Sequence, residues 1–170
     1  MIIIMYMIIV GSDKTIAFNG ERYRCAVVRS GFTNRKTEGD GATPRGRFLL
    51  REVYVREDSV SRPETRLPVY ALRPDDGWCD DPVWPEYNTK ISLPFDGSHE
   101  RLWRDDDTYD VIVVIGYNDA PVVAGKGSAI FMHVARPGYT PTEGCVALAK
   151  QDLLEVLRHC TPDTVVSIDQ

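Results

Sequence analysis

Two short runs, Val111–Ile115 and Ala129–Val134, are apolar at nearly every position. A strand with one wet face alternates apolar and polar side chains, so an unbroken run of this length marks a strand covered on both sides. Periodicity alone leaves a buried helix segment as the other reading. The signals around these runs favour strands. Asn19-Gly20 separates Thr15–Phe18 from Arg22–Val28, and that dipeptide suits a type I′ hairpin turn, whose two central residues both take positive φ. Arg47–Val55 and Thr164–Ile168 read as further strands, and the Ile-rich stretch Met1–Val10 as the first. Lys150–His159 alone has clear helical spacing, through Leu153, Leu154 and Leu157. Asp152 in its first turn and Arg158 in its last suit the macrodipole, and Thr161-Pro162 stops it. The expected class is mainly β, a β-rich α+β chain with one helix near the C-terminus.

At 170 residues the chain is expected to form one domain, residues 1–170, with its first strands in 1–30. A domain of this size buries about 70% of its unfolded surface and needs no staple. Twenty Lys and Arg against 25 Asp and Glu leave a net charge of −5 and no basic run, which excludes a generic nucleic-acid binder. Met1–Val10 is too short to span a bilayer, which takes about 20 residues. It also lacks the basic leader and small-residue cleavage site of a secretory signal. The four cysteines (Cys25, Cys79, Cys145, Cys160) are scattered without a CxxC pair, and His99, His133 and His159 add no ligand spacing. Neither a metal site nor a disulfide framework is expected. Residues 56–110 are irregular and proline-rich, carry Trp78, Trp84 and Trp103, and end near the acidic run Asp105–Asp107. So long an irregular segment is more often a functional wall or lid than filler.

Familiar catalytic signatures fail. There is no GxSxG elbow and no HExxH; Gly125-Lys126-Gly127 breaks the phosphate-loop pattern, and Gly39-Asp40-Gly41 lacks a third dinucleotide-loop glycine. What remains is Ser128–Leu148. His133 lies towards the end of an apolar strand, and Cys145 follows 12 residues later, preceded by Gly144. A turn through Arg136-Pro137-Gly138 could fold the second strand back beside the first. A thiol beside an imidazole is the minimal nucleophile–base pair, because the thiolate is the reactive species. Gly144 would let the N–H groups of Gly144 and Cys145 approach a carbonyl, as an oxyanion site requires. The bland alternative is a small core cysteine and a satisfied core histidine.

The segment resembles the active-site signature of the YkuD-type L,D-transpeptidases, in which a histidine precedes a Ser/Thr-His-Gly-Cys stretch; the matching residues are His133, Thr142, Gly144 and Cys145. Upstream, Gly41–Phe48 is similar to the family's Thr-Pro-x-Gly-x-Phe turn and strand. Trp78–Pro82, Ser98–Arg104 and Gly127–His133 resemble segments of one proteobacterial branch, and the likeness spans residues 30–160. The usual second histidine is Glu143 here, and the usual Arg or Asn two residues after the cysteine is Ala147. The resulting Thr-x-Gly-Cys-x-Ala pattern resembles a divergent group associated with 1,3-type crosslinks, from L-Ala at stem position one to diaminopimelate at position three.

The resemblance implies a mixed β-sheet sandwich or barrel-like catalytic domain that acts on peptidoglycan peptide stems. It implies a cofactor-free thioester acyl transfer, with Cys145 as nucleophile, His133 as base and a backbone carbonyl orienting the imidazole. It also implies a cell-envelope location, although no signal is visible, and acylation by carbapenem inhibitors. In an oxidising compartment, Cys25, Cys79 and Cys160 could supply at most one bridge, with Cys145 left free. Arg136 is the candidate for a stem carboxylate, or an exposed turn arginine. Tyr117 and Asp119 are expected at the cleft rim. Trp78, Asp80 and Asp81 are expected as a wall reading the acceptor amine, with Glu143 binding a cationic amine or facing water. Two other outcomes stay open: a peptidoglycan peptide hydrolase with the same pair, and a binding module without turnover.

Overall fold

The alternation of side chains along two central strands decides where this fold places its layers. The computed structural model describes residues 6–169. Strand β1 is Met7–Val10, so the Met1–Met5 part of the expected first strand lies outside the described residues. In chain order there follow β2 (Thr15–Phe18), β3 (Glu21–Ala26), β4 (Phe32–Thr33), β5 (Thr43–Pro44), β6 (Gly46–Val55), β7 (Val69–Ala71), β8 (Asp76–Cys79), β9 (Lys90–Ser92) and β10 (His99–Arg101). The last third holds β11 (Val111–Ile115), β12 (Phe131–Val134), β13 (Val146–Leu148), helix α1 (Lys150–Arg158) and β14 (Val165–Ile168).

The main sheet runs β11-β12-β13-β3-β2-β1-β14-β6-β7. Because β6 also pairs antiparallel with β11, the sheet closes on itself, which removes the open edge of β11 and leaves β7 as the outer strand. The ten-residue β6 makes this possible: Gly46–Leu49 pairs β14, while Val53–Val55 pairs both β7 and β11. A register shift opposite Val113–Ile115 bends the strand between the two. The β2–β3 hairpin turns through Asn19 (φ 54°) and Gly20 (φ 85°), the type I′ geometry expected.

Along β11, Val111, Val113 and Ile115 enter the barrel core with Met132, Val134, Val146 and Leu148 from β12 and β13. The intervening Ile112 and Val114 face a second apolar layer with Phe131, Trp78, Leu102 and Tyr109. Both faces are covered, which is why β11 is apolar throughout. Leu153, Val156 and Leu157 of α1 seal the core side.

Two expectations need correction. The strand read over Ala129–Val134 begins only at Phe131, because Ala129 is left-handed (φ 54°) and breaks it. The segment read as irregular over 56–110 holds β7 to β10, and β10-β8-β9 form a separate small sheet. Strands of three or four residues are too short for periodicity to reveal. Among the described residues, no helix is long and apolar enough to cross a membrane.

Candidate active site

Strands β12 and β13 run parallel and bring the two halves of the Ser128–Leu148 segment together, with His133 opposite Ala147 and Met132 opposite Val146. The two-residue alternation turns Met132, Val134, Val146 and Leu148 into the barrel core. It therefore turns His133, Cys145 and Ala147 to the other face, where all three line a cleft of about 530 Å³. His133 is 6% and Cys145 8% exposed, so each reaches the cleft from an almost dry setting.

The imidazole Nδ1 lies 2.9 Å from the Val134 carbonyl oxygen, which can only accept, so Nδ1 carries the proton and Nε2 the lone pair. Val134 is the orienting carbonyl that the sequence left unassigned. Tyr109 packs its ring edge-on against His133 at 5.3 Å. Burial, aided by the Arg136 and Arg104 charges, lowers the imidazole pKa to about 4. Burial likewise pushes the Cys145 thiol up to about 12, with the Glu100 charge adding to it. The resting pair is therefore neutral, a thiol and a free base. The thiol donates to the Ala129 carbonyl at 3.3 Å.

Around Cys145 the backbone is shaped for close approach. Gly144 has φ 141°, a conformation that favours glycine, and a Cβ there would press on Ile130 Cδ1 at 3.2 Å. Thr43 Oγ1 donates to the Gly144 carbonyl at 2.8 Å, and Thr142 Oγ1 donates to the Cys145 carbonyl. Both carbonyls are thus tied down, while the Gly144 and Cys145 N–H groups donate to no backbone acceptor among the described residues. The left-handed Ala129 is held by Asn88, whose Oδ1 accepts from the Ala129 N–H at 3.1 Å and from Trp78 Nε1 at 3.0 Å.

Of the substrate-binding candidates, Arg136, Thr142, Glu143 and Asp80 line the cleft. Four others do not. Trp78 is a core residue, edge-on to Phe131 at 5.0 Å in the apolar layer that also holds Tyr109 and Cys145, and its Nε1 donates to Asn88. Asp81 accepts from the N–H groups of Val83 (3.2 Å) and Ser98 (3.0 Å) and so staples its loop. Asp119 is held away by a two-point ion pair with Arg51 at 2.9 and 3.0 Å. Tyr117 donates its hydroxyl to the Lys126 carbonyl and packs edge-on to Phe48 at 5.5 Å. Placement after a central strand suggested the rim for Tyr117 and Asp119, but an arginine in reach on β6 captures the carboxylate.

The cleft also contains residues that the sequence did not single out: Arg29, Lys36, Glu100, Tyr109 and Thr108. Thr108 Oγ1 is buried without a hydrogen-bond partner among the described residues. Lys36 is paired with Asp40, and Arg104 with Asp106, whereas Arg29 and Arg136 have no ion-pair partner among the described residues. Glu100 lies within Ser98–Arg104, but its three-residue strand β10 is too short for alternation to show which way it faces. Among the described residues no group of three or more His, Cys, Asp or Glu comes together to hold a metal. Cys25, Cys79 and Cys160 are buried and free.

No curated protein sequence matches the chain. Among solved structures, L,D-transpeptidase 1 of Mycobacterium tuberculosis is similar at 13% identity and a TM-score of 0.44 over 96% of this chain. An L,D-transpeptidase from Mycobacterium smegmatis is similar at 14% identity and a TM-score of 0.39, also over 96%. The chain spans 58% of the length of each. The family model for the YkuD L,D-transpeptidase catalytic domain matches residues 5–168. The chain belongs to the YkuD family of L,D-transpeptidase catalytic domains.

Proposed function

We propose that this chain is a single catalytic domain that crosslinks peptidoglycan peptide stems in the cell envelope by acyl transfer through Cys145. The observation that carries this reading is a buried thiol and an imidazole with its Nε2 lone pair free lining one cleft, with the N–H groups of Cys145 and its neighbour Gly144 donating to no backbone acceptor among the described residues. His133 takes the thiol proton as the sulfur attacks a stem carbonyl. Because both groups rest neutral, charge develops mainly as the tetrahedral oxyanion forms, where the Gly144 and Cys145 N–H groups hold it. His133 then protonates the departing amine, leaving a thioester. The second stem's amine attacks that thioester and Cys145 leaves. Arg136 and Arg29, both unpaired among the described residues, suit the stem carboxylates. No metal or organic cofactor enters any step. A carbapenem, itself an acyl donor, is proposed to acylate the same thiol.

The finer reading is a 1,3-type crosslink through L-Ala at position one, with release of the rest of the donor stem. Ala147 supports it: this small residue lies opposite His133 in the cleft floor, where the family's usual pattern has a long polar side chain. Its absence leaves space and removes donors beside the base, and positioning at about the 1 Å level decides which carbonyl reacts. Defined muropeptides incubated with the pure protein and a strong chelator, then sequenced by mass spectrometry, test this. Crosslinks at L-Ala are expected. The double variant Glu143→His, Ala147→Arg should lose that selectivity and most of the activity, since Ala147 is 1% exposed and an arginine there crowds His133. Crosslinks solely of the 3,3 type from wild type contradict the finer reading. Trimmed stems without crosslinks make the protein a hydrolase, and unchanged muropeptides make it a binding module.

A further inference from the structure

Peptide-bond formation at the thioester has a proton balance that Cys145 and His133 do not complete. At neutral pH the acceptor amine arrives as an ammonium, which has no lone pair. It must lose one proton before it attacks and a second as the tetrahedral intermediate collapses. The second proton passes through His133 to the departing thiolate and regenerates the thiol. The first needs another acceptor.

Glu100 is placed to be that acceptor. It lies on β10, opposite Trp78 of β8, and lines the same cleft as Cys145 and His133. Its Oε1 accepts the hydroxyl of Tyr109, the residue whose ring packs against His133, so one contact chain runs from Glu100 through Tyr109 to the base. Glu100 is near enough to Cys145 for its charge to raise the thiol pKa. Its other charged neighbours are Arg104, which favours the carboxylate, and Asp80 and Glu143, which oppose it. Burial with those two like charges raises its pKa above the usual glutamate value, despite Tyr109 and Arg104, and makes it a stronger base than an exposed carboxylate. Arg104 is already engaged by Asp106 at 2.8 and 2.7 Å, which leaves Glu100 able to receive an incoming cation.

We propose that Glu100 binds the acceptor ammonium and takes its first proton, so that the proposed transpeptidation uses two bases, Glu100 for activation of the acceptor and His133 for the thiol. In the balanced step, carboxylate and ammonium become carboxylic acid and amine. The amine nitrogen then forms the new C–N bond as the C–S bond breaks. Glu100 returns its proton to solvent, which accounts for the one proton that thioester aminolysis by an ammonium releases.

This inference rests on the acyl-transfer reading, and the test separates the two. Glu100→Gln keeps the size of the side chain and an oxygen to accept from Tyr109. With diaminopimelate-containing acceptor stems at pH 7, the ratio of crosslinked to hydrolysed product should fall about tenfold or more relative to wild type. The ratio should recover as pH rises and the amine deprotonates in solution. With hydroxylamine, an acceptor uncharged at pH 7, variant and wild type should differ little in that ratio. An unchanged ratio with the stem acceptor, or an equal loss with hydroxylamine, overturns the role of Glu100. Should Glu100→Gln fail to fold, wild type still decides: it should prefer a cationic acceptor amine to a neutral one of similar size, and equal use of both overturns the proposal. Failure of wild type to form any acyl-enzyme sinks the transferase reading itself.

Discussion

Replacing Cys145 with alanine is expected to lower crosslinking by about 10⁴-fold or more, to the background of the assay. Among the described residues no other thiol lines the cleft. The fold should survive. The change removes one buried sulfur and its hydrogen bond to Ala129, a loss of about 1 kcal/mol. Thermal unfolding should therefore shift by only a few degrees, which separates loss of the nucleophile from loss of structure. Substantial crosslinking by a well-folded Cys145→Ala protein rules out the mechanism.

The next largest effect is expected from His133→Gln, about 10²- to 10⁴-fold in the acylation rate. Glutamine can keep a hydrogen bond to the Val134 carbonyl but cannot take the thiol proton. Raising the pH should recover part of the loss, because a larger fraction of Cys145 then ionises without help. That recovery begins late, since burial holds the thiol up near 12. In wild type the acid limb of the rate should lie well below an ordinary histidine's 6.5, because the imidazole stays neutral to about 4. The same shift makes a stability prediction. The unfolded chain protonates this imidazole near 6.5 and the folded chain only near 4, so the stability due to the neutral ring is whole above 6.5 and is lost progressively as pH falls towards 4. His133→Gln should flatten that part of the stability profile. A variant with no rescue at high pH would show that His133 does more than accept a proton.

How much of this could be read from the residues depends on whether the cause is local. The Asn19-Gly20 turn, the two-sided burial of β11 and the limits of α1 follow from neighbouring side chains, and they agree with the structure. The sequence placed Cys145 within reach of His133 through a strand folded back beside the first; both line one cleft, but through parallel β12 and β13, with Cys145 just ahead of β13. Closure of the sheet was not legible: it depends on β6 being long enough to pair three neighbours, with a bend that no residue type announces. The irregular half hid the cleft wall for a related reason. Glu100 and Trp78 are cross-strand neighbours on one face of the small sheet, with Glu100 lining the cleft and Trp78 packed beneath it on Phe131. Strands of three or four residues give no period from which that face could be read. Asn88 was missed because its role is wholly long-range, joining Trp78, Tyr117 and Ala129.

The acyl-enzyme itself is the point at which the account is most exposed. Intact-mass spectrometry of the protein mixed with donor stem alone, without an acceptor amine, followed by peptide mapping, should show one adduct with the mass of the donor acyl group. It should map to Cys145 as a hydroxylamine-labile thioester and be absent from Cys145→Ala. Crosslinks formed without such an adduct, or an adduct confined to Cys25, Cys79 or Cys160, would contradict the account.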